Sequence, residues 1–187
     1  MTIIHTSLPE VRLIEPNVFQ DSRGFFLEAW NPKVCVALGL EIGSFVQSNH
    51  SRSVSGVLRG LHFQIKRPQG KLIHVVRGQI YDVAVDIRVN SPTYRQWVGR
   101  GLSDENHLAM WVPPGFAHGF CVLSEVADVV YHCTEPYIAE LDSGIIWCDT
   151  DLAIEWPIKD VNLSAKDQRL PTLENAFASG SLPNFRA

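Results

Sequence analysis

Several signatures that would narrow the function at once are missing from this chain. Its four cysteines, Cys35, Cys121, Cys133 and Cys148, form no CxxC pair, and its seven histidines include no His-x-His. The clustered ligand sets of zinc ribbons and metal-binding β-barrels are therefore absent from the sequence, and no metal is expected. No apolar run approaches the roughly 18 residues that a membrane helix needs. Basic residues form no block, and a formal net charge of −4 argues against a general nucleic-acid binder. The opening MTIIHTSLPE has no basic start and no long apolar region, so it does not read as a secretory signal. Each cysteine sits in an apolar or strand-like stretch, which predicts four buried free thiols in a reducing compartment. A cytoplasmic protein without a membrane partner is the expectation.

The chain does have enough apolar content for a substantial core. It is 45% hydrophobic over 187 residues, which fits one domain spanning residues 1–187. No repeat or Pro/Gly-rich linker divides it. Asn31-Pro32 opens the best helix signal, a cap followed by proline, with an end expected near Gly39. From residue 42 onward short strand-like segments dominate. Lys71–Val76 and Gln79–Ile87 are the strongest, and their junction at Arg77-Gly78 reads as a hairpin. In the second of these, Tyr81, Val83, Val85 and Ile87 share one face, and Asp82, Ala84 and Asp86 the other. About a dozen short strands with one or two short helices predict an all-β sandwich or barrel.

One strand is unusually polar: Ser55-Gly56-Val57-Leu58-Arg59-Gly60-Leu61-His62-Phe63-Gln64. Arginine is seldom buried unpaired, so Arg59 should meet an acid or solvent. Arg59 and His62 are an odd number of positions apart, and a regular strand would point them to opposite faces. Gly60 lies between them, and a bulge there would bring both into one cavity. A polar edge strand explains the segment equally well.

Other residues carry chemistry less plainly. His62 is a candidate general base, because its ordinary pKa lies near working pH. Lys71 follows Gln69-Gly70, and its position favours a solvated strand end. His118 emerges from the stiff turn Pro113-Pro114-Gly115, which favours a site residue over a barrel corner. Tyr131 is either core or a proton donor. Asp167 completes a Ser-x-x-Asp cap spacing with Ser164, or else orients a histidine; spacing does not decide between them.

Taken together, six ordered segments resemble the dTDP-4-dehydrorhamnose 3,5-epimerase family over residues 3 to 171. They are DSRGFFLE (21–28), FVQSNHS (45–51), GVLRGLHFQ (56–64), QGKL (69–72), PGFAHGF (114–120) and LSAKD (163–167). The resemblance implies a cupin-type jelly-roll barrel with a few short helices. The implied activity is cofactor-independent epimerisation of dTDP-4-dehydro-6-deoxy-D-glucose at carbons 3 and 5. It makes His62 the base, Asp167 its orienting carboxylate, Tyr131 the acid, and Lys71 the neighbour of the keto oxygen. Substrate-binding positions fall on Arg23, Glu28, Gln47, Ser48, Asn49, Arg59, Lys71, His118, Asp142 and Lys166. A homodimer is implied, with each site completed by the partner's N-terminal strands. The chain departs from the family's usual residues at His132 (Lys), Asp142 (Glu) and Ser143 (Arg). A single-carbon epimerase and a non-catalytic sugar-nucleotide-binding jelly roll are the alternatives. A metal-dependent oxygenase of the same fold would want a second histidine near Gln64. The tail from Leu173 to Ala187 lies beyond the resemblance, with no function assigned to it.

Overall fold

The computed structural model describes residues 1–37 and 45–185. The predicted helix is α1, Pro32–Ala37, and Asn31 Oδ1 caps it by accepting from Lys33 N at 3.0 Å. Its expected end near Gly39 lies outside the described residues. The strands, in order, are β1 (Thr2–His5), β2 (Arg12–Glu15), β3 (Val18–Asp21), β4 (Gly24–Leu27), β5 (Gln47–Val54), β6 (Leu58–Gln64) and β7 (Lys71–Arg77). They continue with β8 (Gln79–Asp86), β9 (Trp97–Ser103), β10 (Ala109–Val112), β11 (Phe116–Val122), β12 (Val126–Cys133) and β13 (Asp142–Gly144).

Two antiparallel sheets form a jelly roll of cupin type. One has the order β1-β2-β10-β7-β12-β5, the other β13-β6-β11-β8-β9, and β3 pairs with β4 as a separate ribbon. β7 and β8 belong to different sheets, so the expected hairpin at Gly78 is instead a corner. One residue is too short for a two-residue hairpin turn, and Gly78, at φ +77°, swings the chain across the sandwich.

The strand alternation places buried apolar residues on both faces of β8, with Asp82 and Asp86 beside Ile80 and Ala84 on one of them. Ile80 and Ala84 join Leu13, Ile73, Met110 and Phe120 in the core between the sheets. Val83, Val85 and Ile87 look the other way, onto Leu61, Phe63, Ile145 and Leu152. The C-terminal segment covers that outer face: α2 (Leu173–Ala178) lays Leu173 and Ala176 there, followed by Leu182. Burying each leucine contributes roughly 1.5–3 kcal/mol, so the tail has a packing role that its sequence did not disclose. Cys35, Cys121 and Cys133 are buried free thiols as expected; Cys148 is exposed, on a turn that the apolar core does not cover. Among the described residues no helix is long and apolar enough to cross a membrane.

Candidate active site

The polar strand β6 carries the bulge its glycine foretold. His62 pairs with His118 on β11, and Arg59 pairs with Phe120, so three steps on β6 span two on β11. The extra residue cancels the odd spacing and turns Arg59 and His62 into the same cavity. Gly60 has φ +127°, and a Cβ there would lie 2.6 Å from Gly119 Cα. A side chain at this crossing is excluded on both counts.

His62 Nε2 and Asp167 Oδ1 are 2.6 Å apart. Asp167, itself buried, begins a 3-10 turn, Asp167–Arg169, and its backbone N donates to Ser164 Oγ at 3.0 Å. The backbone N of Asp167 is thus capped by Ser164 while its carboxylate meets the histidine. Burial pushes the Asp167 carboxyl up, but hydrogen bonds from His62 and Ser164 and the charges of His62 and Lys166 outweigh it, leaving the pKa below its ordinary value. An ionised Asp167 accepts Nε2–H, which leaves Nδ1 as the basic nitrogen of His62.

Lys71 is not the solvated strand end its position suggested. It is half-buried and lines the cavity with His62 and Tyr131. Burial lowers its pKa, partly offset by Cys133, Asp142 and Asp82. Tyr131 is half-buried on β12, and burial raises its pKa. Lys71 and Tyr131 stand on neighbouring strands of the six-stranded sheet, whereas His62 comes from the opposite sheet. The cavity therefore has the histidine–carboxylate pair on one wall and a tyrosine with a lysine on the other.

The remaining predicted positions divide into two groups. Gln47 and Asn49 line the cavity, about 310 Å³ in this part, together with Asp142 and Lys166. Gln47 Nε2 donates to Asn49 Oδ1 at 2.9 Å. Lys166 pairs with Asp142, which also accepts from Tyr137 Oη at 2.8 Å. Arg59 is exposed and meets no acid among the described residues: its Nε donates to Ser53 Oγ at 2.9 Å and its Nη2 to Arg52 O at 3.4 Å. It lines a second lobe with His62, Lys166 and Asp167. His118 is buried, its Nε2 2.7 Å from Asp82 Oδ1.

The second group lies elsewhere. Ser48 is exposed on the face of β5 opposite to Gln47 and Asn49, as alternation requires. Arg23 and Glu28 are exposed on and after the β3–β4 ribbon; Arg23 pairs with Asp21 and borders a separate hollow with Phe19, Phe25 and Phe26. Sequence reasoning missed Tyr137, whose exposed ring stands at the cavity mouth, and Asp82, whose signal was a carboxylate on an apolar strand face. Gln64 is committed to structure, donating to Arg67 O and Pro136 O and accepting from Ile138 N. Among the described residues no three His, Cys, Asp or Glu side chains converge as a metal set.

A cupin-type jelly roll whose two sheets bring a histidine–carboxylate pair to face a tyrosine and a lysine defines a class: enzymes of this fold suited to moving protons on and off a carbon acid. The comparisons make this particular. The family model described as dTDP-4-dehydrorhamnose 3,5-epimerase matches residues 5–175, and the chain belongs to that family of isomerases. It is 52% identical over 176 residues to the dTDP-4-dehydrorhamnose 3,5-epimerase of Methanothermobacter thermautotrophicus, covering 92% of this chain and 95% of the relative. The crystal structure of dTDP-6-deoxy-D-glucose-3,5-epimerase from Legionella pneumophila in complex with dTDP-4-keto-L-rhamnose superposes with a TM-score of 0.95 at 48% identity, over 100% of this chain and 99% of that one. A 3′-monoepimerase from Streptomyces bikiniensis in complex with dTDP-quinovose is more distant, with a TM-score of 0.89 and 32% identity, covering 97% and 93%.

Proposed function

We propose that the protein epimerises dTDP-4-dehydro-6-deoxy-D-glucose at carbons 3 and 5 to dTDP-4-dehydro-L-rhamnose, without a cofactor. The observation that carries this reading is the convergence of His62, Lys71 and Tyr131 from opposite sheets on one cavity. His62 Nδ1 takes the proton from the carbon beside the ketone, and the C–H electron pair moves into an enolate. Lys71 holds the developing charge on the keto oxygen; a donor so placed is worth about 3 kcal/mol. Tyr131, its hydroxyl kept protonated by burial, returns a proton to the opposite face of the ring. Each inversion leaves His62 with one proton more and Tyr131 with one fewer, and exchange with water resets both.

Arg59 and Lys166 border the lobe beside the His62–Asp167 pair, where a fork of donors suits diphosphate oxygens. The 3,5-epimerases among the relatives are closer than the 3′-monoepimerase, which favours inversion at both carbons. Incubation with the 4-keto substrate in deuterated water tests the assignment. Deuterium at carbons 3 and 5 is expected; label at one carbon supports a single-carbon epimerase, and none at either overturns the substrate.

The same reading includes a cytoplasmic homodimer. Arg23 and Glu28 lie off this chain's cavity, and Phe19, Phe25 and Phe26 are 61%, 57% and 70% exposed. Exposed aromatics of this kind are better spent on a partner than on water. Sedimentation equilibrium should give twice the chain mass, and a monomer at micromolar concentration would refute the shared site.

A further inference from the structure

The cavity floor holds a second histidine–carboxylate pair that the mechanism above does not use. His118 on β11 lies directly across the ladder from His62 on β6, and both histidines commit Nε2 to a carboxylate. Nδ1 is the ring nitrogen left uncommitted in each. His118 lines the same lobe as Lys71 and Tyr131. Asp82, behind it on β8, has no exposed surface.

Asp82 Oδ2 is buried without a hydrogen-bond partner, and so is Ser51 Oγ, which lines that lobe. Buried polar atoms are nearly always satisfied, and those that are not mark capacity held for something else. A buried carboxylate is also costly unless a positive group faces it. The His118 ring contacts Asp82 directly, and the charge of Asp82 also acts on the Lys71 ammonium. If the pair were mere packing, an apolar residue would fill this floor more cheaply, as Ile80 and Ala84 do on the same face of β8.

We propose that Asp82 is a positioning residue for the epimerisation, accepting Nε2–H so that His118 stays an imidazolium with Nδ1–H directed at the sugar's keto oxygen beside Lys71. The oxygen that gains charge when His62 removes a proton is then met by two cations. His118 keeps its proton throughout; no bond to it breaks. The inference rests on the epimerase reading and adds to it the group that sets the charge of His118.

The test is Asp82→Asn, which keeps the shape and removes the charge, measured by steady-state turnover and by deuterium incorporation. The wild-type protein is run first: no exchange there overturns the epimerase reading and this inference with it. With exchange established, Asp82→Asn should lower kcat about 10- to 100-fold while KM changes less than about threefold. The double variant Asp82→Asn/His118→Asn should be no slower than His118→Asn alone, since Asp82 acts through His118. Thermal unfolding separates fold from function. A kcat within about twofold of wild type, losses that multiply in the double variant, or a loss confined to KM would each overturn the proposal. Should Asp82→Asn not fold, His118→Asn alone decides: a kcat loss at constant KM supports the role, and a KM change alone refutes it.

Discussion

Asp82 and Asp86 lie four residues apart on the same face of β8, and neither has any exposed surface. Their surroundings otherwise differ. Asp86 Oδ1 accepts from the backbone N and Nε of Arg88, and Oδ2 accepts from Arg88 Nη2, Ser91 and Thr93. Arg88 in turn donates to Glu10 and lies over the rings of Phe116 and Phe185. Burial alone would push the Asp86 carboxyl up, but these hydrogen bonds hold its pKa below the ordinary value. Asp82 has one hydrogen bond, to a group that itself titrates, and an oxygen to spare. A saturated carboxylate fastens the chain, here tying the N-terminal turn, the end of β8 and the tail together. An unsaturated one beside a cavity keeps free energy in reserve for a ligand. Burial does not separate the two; leftover hydrogen-bonding capacity does.

Breaking each region in turn should expose that difference. His62→Asn should cut turnover by roughly 100- to 10,000-fold, the worth of a positioned base, with little change in unfolding temperature. Arg88→Ala should do the reverse, costing roughly 3 to 5 kcal/mol by leaving Asp86 buried and under-paired, while the folded fraction turns over normally. Chemical denaturation alongside initial rates reads both, and the comparison fails if Arg88→Ala spares stability or His62→Asn destroys it.

His74 sharpens the contrast from the other side, as a half-buried titratable group whose buried Nε2 has no hydrogen-bond partner. Burial, with the neighbouring His132, lowers its pKa from 6.5 to about 4. Between those values the unfolded chain binds a proton that the folded chain refuses, so stability is full above pH 6.5 and falls as the pH drops towards 4. The loss is at most about 3 kcal/mol. Urea midpoints at pH 7 and pH 4.5 should differ less for His74→Phe than for the parent protein; an equal difference in both would remove His74 as the cause.

Much of this was legible before any coordinates. The alternation in β8 assigned its residues to two faces, and Gly60 between Arg59 and His62 offered the bulge that joins them, beside an equally good reading as a polar edge strand. Long-range pairing was not legible. His62 and Asp167 are separated by 105 positions, and no local periodicity reports which side chains a jelly roll folds together. Lys71 was misread because its neighbours in the chain, Gln69 and Gly70, are polar and small, whereas its neighbours in space are Tyr131 and His62. The hairpin at Gly78 failed because strand strength says nothing about which sheet a strand joins. Cys148 was expected inside because its segment is apolar, yet its turn faces water.

The crossing of β6 and β11 at Gly60 and Gly119 contributes no side chain to the cavity. A Cβ at Gly119 would stand 2.7 Å from Arg59 O, and one at Gly60 2.6 Å from Gly119 Cα. The two histidines that face each other sit two residues beyond Gly60 and one before Gly119, indexed from this bare contact. In a saturation scan these glycines should tolerate almost nothing while Arg23 or Ser48 on the surface vary freely in stability. Much of the tolerance to substitution of such a site is then set by residues with no side chain at all.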